Sequence, residues 1–443
     1  MADLNSQSHH SFLWGSNKIK PLYPGKWDIL AFIIPASTLF EIDAIGRLFG
    51  PDIICLTIFP ILLYKRSRIL HNSFARLFIC LGILYLLGQF VADIVHQSDF
   101  HDYSRGWAKI LVTIISFCTI IMVIDRRRSA ILAFSWGIVA GLSLQFFFKP
   151  GDYAEFEPWK FGIGVPITWL IILISSLFRN TSIVKLNIRF FLVFSAGVLN
   201  LYFGFRSLGG ICFLTLAFLM LQRFLKSSPD ILVNNTKKRI LILSIGMITA
   251  AFLVIQIYGL SARNGWLGEV QAEKFEAQAH GNFGLILGGR SEILVSSKAI
   301  MESPILGHGS WVKNWVYAEM LVDLKRQFGY ISGPVNDLGL IPTHSHFFGA
   351  WVEAGLLGAI FWGWVLSLPI RASTRLVQAD DPHTPILSFI LFFLVWDILF
   401  SPFGATRRFL IPFYTIVMID ILMRYPGRLR KLRYARLYCH NLV

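Results

Sequence analysis

The chain has 443 residues, of which 55% are hydrophobic and only 15% charged, with a mean hydropathy of +0.59 and a formal net charge of +15. Soluble globular chains carry roughly 25% charged residues. The deficit excludes an ordinary soluble domain and, with repeated apolar runs of about 17 to 25 residues, indicates an all-α polytopic membrane protein. The basic residues lie between the apolar runs, which suits membrane lipids as a partner rather than nucleic acid.

Residues 1–27 are polar and lack a charged-then-apolar start and a small-residue cleavage site, so they read as a cytoplasmic segment after which the first span directs insertion. Twelve apolar segments follow: 28–45, 49–64, 74–95, 107–124, 130–148, 161–178, 188–204, 207–225, 239–260, 346–369, 386–401 and 407–423. The reading therefore has nine spans over 28–260, an outer loop over 261–345, three spans over 346–423 and a basic cytoplasmic tail over 424–443. The second and seventh segments are short enough to be tilted or broken. Cys55, Cys80, Cys118, Cys212 and Cys439 are scattered and have neither CxxC partners nor zinc spacing. No internal repeat, Walker motif, Gly-x-Ser-x-Gly elbow or HExxH is present.

Orientation follows from charge. With the N-terminus in the cytoplasm, inside segments hold 26 Lys and Arg against 8 outside the long 261–345 loop. Both termini then lie inside and the long loop outside. Glu41, Asp43, Asp93 and Asp397 fall near span ends and read as interfacial.

Cations that run against this bias draw attention. Arg206 lies in the turn FGFRSLGG, and Arg407 and Arg408 open the last span. Taken singly, each is as readily an interfacial snorkelling residue. Together with Arg263 and Arg290 they are candidates to converge on one anion, since guanidinium forks match phosphate. Within the outer loop, GEVQAEKFEAQAH reads as a charged amphipathic helix and RSEILVSSKAIMESPILGHG as a second helix ended by Pro304 and Gly307. Arg290 then stands at a helix start after the flexible pair Gly288–Gly289, where free backbone amides also favour anions. Residues 312–341 read as irregular. His344 and His346 stand at the outer end of span ten, with Glu353 nine residues beyond His344. If the helix already runs through both histidines, they point about 200° apart and only one faces the site.

Two stretches carry a resemblance. GGRSEILVSSKAIMESPILGHGSW (Gly288–Trp311) is similar to the G-R…P-l-l-G-x-G segment of the O-antigen ligase and polymerase superfamily, and PTHSHFFGAWVEAGLLGAIFW (Pro342–Trp362) to its H-[NS]…E-x-G-x-x-G segment. The direct match covers about 50 residues. The resemblance implies a metal-independent inverting glycosyltransferase that needs no cofactor. Its donor is an undecaprenyl-diphosphate-linked glycan at the periplasmic face of the bacterial inner membrane. The acceptor is lipid A–core for a ligase, the reading preferred here, or a growing polysaccharide for a polymerase. By motif Arg290 corresponds to a donor-diphosphate arginine, and Arg206 to another. His344 corresponds to the general base by its spacing to Glu353 and Gly355, with Glu353 and Gly289 supporting; Arg263, Arg407 and Arg408 join the binding set. The sequence departs from the family pattern in reading His-Ser-His, which leaves His346 as an alternative. The chemistry agrees: an imidazole can take the proton of an acceptor hydroxyl, and arginines can stabilise a diphosphate leaving group. A flippase, the rival class, places its charges at mid-membrane, whereas these gather at one outer face. A non-catalytic scaffold has no need of the Arg and His set.

The charge bias makes a direct prediction about topology. Reporter fusions after Lys226 and after Arg375 are expected to be active only as cytoplasmic reporters, and one at Gln278 only as a periplasmic reporter; a cytoplasmic signal at Gln278 overturns the site assignment.

Overall fold

The computed structural model describes residues 25–44, 46–178, 183–227, 236–269, 272–273, 275–276, 290–329 and 339–425. Each of the twelve apolar segments carries a helix. In chain order these are α1 (Lys26–Ala36), α2 (Gly50–Arg66), α3 (Ser73–Val95), α4 (Phe100–Ile124) and α5 (Arg128–Phe148). After a short α6 (Asp152–Phe156) come α7 (Gly164–Ser175), α8 (Ile183–Tyr202), α9 (Arg206–Ser227) and α10 (Thr236–Arg263). The outer segment forms α11 (Glu292–Glu302) and α12 (Trp315–Gln327), and the chain returns through α13 (His346–Leu376), α14 (Thr384–Phe400) and α15 (Arg407–Arg424). Six of them (α3, α4, α5, α9, α10 and α13) are long and apolar enough to cross a membrane, and shorter apolar helices lie within Trp159–Ser175, Leu186–Tyr202 and Thr384–Phe400. The architecture is that of an all-α membrane protein.

The first segment departs from the expected span. Helix α1 stops at Ala36, and Ser37 and Thr38 turn their hydroxyls back to the carbonyls of Ile34 (2.7 Å) and Pro35 (2.6 Å). Pro35 has no backbone N–H to continue the ladder. The chain then forms a two-stranded antiparallel hairpin, β1 (Glu41–Ala44) and β2 (Gly46–Phe49), with Glu41 opposite Phe49. The alternation in EIDA and GRLF is a strand period, not a helical one. Residues 312–341 depart too: α12 starts at an Asn314 cap whose side chain accepts from the Val316 N–H at 3.1 Å, and Tyr317, Leu321 and Leu324 pack on α11 or α13 at helical spacing. The charged helix expected over 268–280 lies largely outside the described residues.

Of the six long apolar helices α4 is the most enclosed, with 72% of its apolar window buried, whereas α10 has 11% and runs along the periphery. Around α4, Phe78 and Phe117 stack at 3.8 Å, and Phe361 closes edge-on at 5.2 Å from Phe78. Helix α3 packs along α13, α15 along α4, and α14 against both α9 and α13.

Helix α13 is interrupted at Gly355, which takes φ +60° and ψ −148°. The segment Pro304–Gly309 inserts at the break and replaces the helical hydrogen bonds. The N–H groups of His308 and Gly309 donate to the carbonyls of Val352 (2.7 Å) and Glu353 (3.0 Å), and the N–H of Leu356 donates to Ile305 (3.1 Å). Most of the remaining polar groups of the segment are also matched. Trp351 Nε1 donates to Pro304 (2.9 Å), Ser303 Oγ and His96 Nε2 to Gly307 (2.9 and 3.0 Å), and the Ser310 N–H to Asp93 Oδ1 (2.6 Å). A Cβ on Gly355 would collide with the Ile305 carbonyl, and one on Gly307 (φ +81°) with the backbone of Glu353–Gly355. The two motif segments seen in the sequence are thus the halves of one interlock.

Gly355→Ala meets both a positive φ and a carbonyl and is expected to destabilise the fold by about 1–3 kcal/mol. Gly363→Ala, in ordinary helix with only the Phe347 ring at 3.7 Å, is expected to be neutral or slightly stabilising. Thermal unfolding midpoints in detergent check the pair; equal midpoints would remove the interlock from the account.

Candidate active site

At the N-terminal end of α13 the chain encloses a cavity of about 290 Å³. His344, His346 and Glu353 line it, with Lys109 of α4, Tyr85 of α3, Glu292 of α11, Trp311, Pro402 and Phe403. The helix begins at His346, capped by Ser345, whose Oγ accepts from the Phe348 N–H (3.2 Å) and donates to the Ile398 carbonyl (2.8 Å). His344 therefore lies in the extended lead-in. The expected helical divergence of the two histidines does not apply, and both reach the same cavity.

They reach it in different states. His344 is exposed, whereas His346 is fully buried, with its Nδ1–H donating to the Ser401 carbonyl at 2.5 Å. Its ring is wedged between Trp362 (4.9 Å) and Phe403 (5.1 Å), and Nε2 has no hydrogen-bond partner among the described residues. The arrangement leaves His344 open to solvent and makes His346 a brace between α13 and the α14–α15 turn.

Glu353 accepts from Lys109 Nζ at 2.8 Å and from Gln89 Nε2 at 3.3 Å. Lys109 is 8% exposed and also lies over the rings of Trp311 (5.9 Å) and Phe403 (5.8 Å). Gln89 continues to Ser310 Oγ (2.7 Å), which donates to Asp93 Oδ2 (2.7 Å), and Trp107 Nε1 donates to the same carboxylate oxygen (2.8 Å). Asp93, near the end of α3, is thus a buried anchor of the interlock. Lys109 and Gln89 escaped the sequence reading. The available signal was a lone lysine inside the apolar run WAKILV, where a charge calls for a partner.

None of the arginines lines the cavity. Arg290 stands two residues before the cavity residue Glu292, half-buried against Trp396 (5.6 Å) and Phe400 (5.9 Å) of α14. Burial lowers its pKa from the usual guanidinium value, opposed by the Glu292 charge. It immediately precedes α11, as expected, while Gly289 lies outside the described residues. Arg206 and Arg263 share one aromatic pair: Arg206 lies over Tyr258 (5.3 Å), Arg263 over Phe275 (5.5 Å), and the two rings are 5.8 Å apart. Arg407 and Arg408 answer carboxylates of the core, Asp397 at 3.1 Å and Asp52 at 2.6 Å, and Arg408 also bonds the Arg47 carbonyl. Asp397, near the end of α14, is buried and paired.

The fold and cavity define a helical membrane protein with a histidine and a buried ion pair at one end of its bundle. No family model, curated protein or solved structure matches the chain.

Because Lys109 and Glu353 are both largely withdrawn from water, breaking the pair is costly and removing it whole is less so. Lys109→Met alone is expected to cost about 3–5 kcal/mol, and Lys109→Met with Glu353→Gln to recover most of it. Unfolding midpoints of the two single variants and the double variant measure this; additive losses would show that the two charges are not coupled.

Proposed function

We propose that the protein is a bacterial inner-membrane glycosyltransferase, multi-pass with both termini cytoplasmic. It transfers a glycan from an undecaprenyl-diphosphate carrier to an acceptor hydroxyl at the periplasmic face, as an O-antigen ligase acting on lipid A–core. The observation that carries the reading is His344, the exposed imidazole of a cavity built on the interlock of the two motif segments that resemble that superfamily. Acceptor hydroxyls are poor nucleophiles, and a positioned imidazole removes the proton as the glycosidic carbon is attacked. The bond from that carbon to the diphosphate oxygen breaks, and the charge left on the diphosphate falls to guanidinium groups. Arg290 is assigned this role because its backbone is joined to cavity residue Glu292 and its planar group is fixed against two aromatic rings. Arg206 and Arg263, fixed on the Tyr258–Phe275 pair, are assigned to the donor further from the cavity. Arg407 and Arg408 are assigned structural roles, since each meets a core carboxylate.

The test is a transfer assay with the purified chain, a lipid-diphosphate-linked glycan and lipid A–core, with donor binding measured separately. His344→Ala is expected to lower the rate about 100- to 10,000-fold while donor binding holds. Arg290→Ala is expected to lose about 10- to 150-fold, the worth of a hydrogen bond to a charged group, and Arg290→Lys to remain poor because an ammonium lacks the fork. His346→Ala is expected to lower the unfolding midpoint through the lost Ser401 contact. Wild-type transfer by both His344→Ala and Arg290→Ala removes the assignment, and glycan added to a hydroxyl of a second lipid-linked glycan instead of to core makes the enzyme a polymerase.

A further inference from the structure

A cavity of about 100 Å³ opens between α8 and α9. Its place in the bundle is fixed by Gln222, whose Nε2 donates to the carbonyls of Leu376 (2.9 Å) and Ala379 (3.0 Å), just where α13 ends. The cavity thus lies at the opposite end of α13 from His344. Three cations line it, Arg189, Arg223 and Lys226, together with Gln222 and the apolar Phe190 and Leu219, and among the described residues that line it there is no carboxylate. Arg189 is buried at 1% exposure and donates from Nη2 to the Pro382 carbonyl at 2.6 Å, so its guanidinium is held in place. Of the nearby carboxylates, Asp381 is held by Arg128 (2.6 Å), and Asp380 meets Lys226 (3.1 Å) from a position 92% exposed to solvent. The same two helices leave Val184, Phe191, Met220 and Phe224 exposed.

A fixed guanidinium, two further cations and exposed apolar side chains on the same helices make up an amphiphilic site. Guanidinium groups bind phosphate oxygens through paired charged hydrogen bonds, and basic pockets between spans on the cytoplasmic side suit anionic headgroups. The exposed apolar side chains offer a surface for acyl chains, which inorganic phosphate cannot use. We propose that this cavity binds the phosphate headgroup of an anionic phospholipid, which ties α8 and α9 to the turn between α13 and α14. The proposal rests on the membrane-spanning reading of the chain and is independent of glycan transfer.

Native mass spectrometry of the full chain in detergent, titrated with phosphatidylglycerol, phosphatidylcholine or inorganic phosphate, tests it without any glycan donor. Phosphatidylglycerol is expected to be retained, phosphatidylcholine not, and millimolar inorganic phosphate is expected not to displace the lipid. Arg223→Ala with Lys226→Ala is expected to bind phosphatidylglycerol about 30-fold more weakly, the loss of two basic side chains at a lipid surface. Arg223→Lys with Lys226→Arg keeps the charge and is expected to keep binding. Lys65→Ala with Arg68→Ala removes equal charge from the last turn of α2 and the segment that follows it, at the same end of the bundle, and is expected to change nothing. Equal retention of the two lipids, or equal loss in both charge-removing variants, overturns the proposal in favour of a diffuse surface potential. Full displacement by inorganic phosphate overturns it in favour of a free-anion site.

Discussion

The break in α13 is the constraint on which the outer half of the molecule depends. A helix that crosses or borders a membrane has no water with which to satisfy lost backbone bonds, so an interruption persists only if protein groups replace them. Here the replacement comes from Ile305, His308 and Gly309, a segment some 50 residues earlier in the chain. Both sides of the contact need a glycine: Gly355 for its positive φ and Gly307 for the approach of its backbone. The sequence G-x-G and E-x-G patterns record the two faces of this junction.

From the junction the polar core of the site follows. Inserting 304–310 beside α3 brings the Ser310 amide and hydroxyl onto Asp93 and sets Gln89 between Ser310 and Glu353. Glu353 then points at Lys109 on the most enclosed helix. In a low-dielectric interior such a chain of bonds is stiff when complete and costly when broken. It forms one wall of the cavity, while His344 approaches from the other side on the lead-in to α13.

Much of the fold is legible in the sequence because the helices are written in long apolar runs, and a run needs no partner to be recognised. The junctions are not, because they depend on pairings between distant residues. Lys109 and Glu353 are 244 positions apart, and Arg408 and Asp52 are 356. Read singly, Arg408 is a cation at an outer surface; read with Asp52 it is a tie between the two ends of the chain. The hairpin at 41–49 was hidden for a local reason, since its apolar residues extend the preceding run while their alternation changes the period. Helix α12 was masked by the turn residues that follow it. The motif segments were visible as motifs, yet only the hydrogen bonds reveal that they touch.

The interlock also sets where the outer segment can move. Residues 304–310 lie outside the apolar runs, but their amides are paired to α13 and to Asp93, so they should open to solvent only when α13 itself opens. In hydrogen-exchange terms they belong to the same cooperative unit as the helix, not to a surface loop. The wall of the cavity built on the interlock is therefore as rigid as the bundle beneath it.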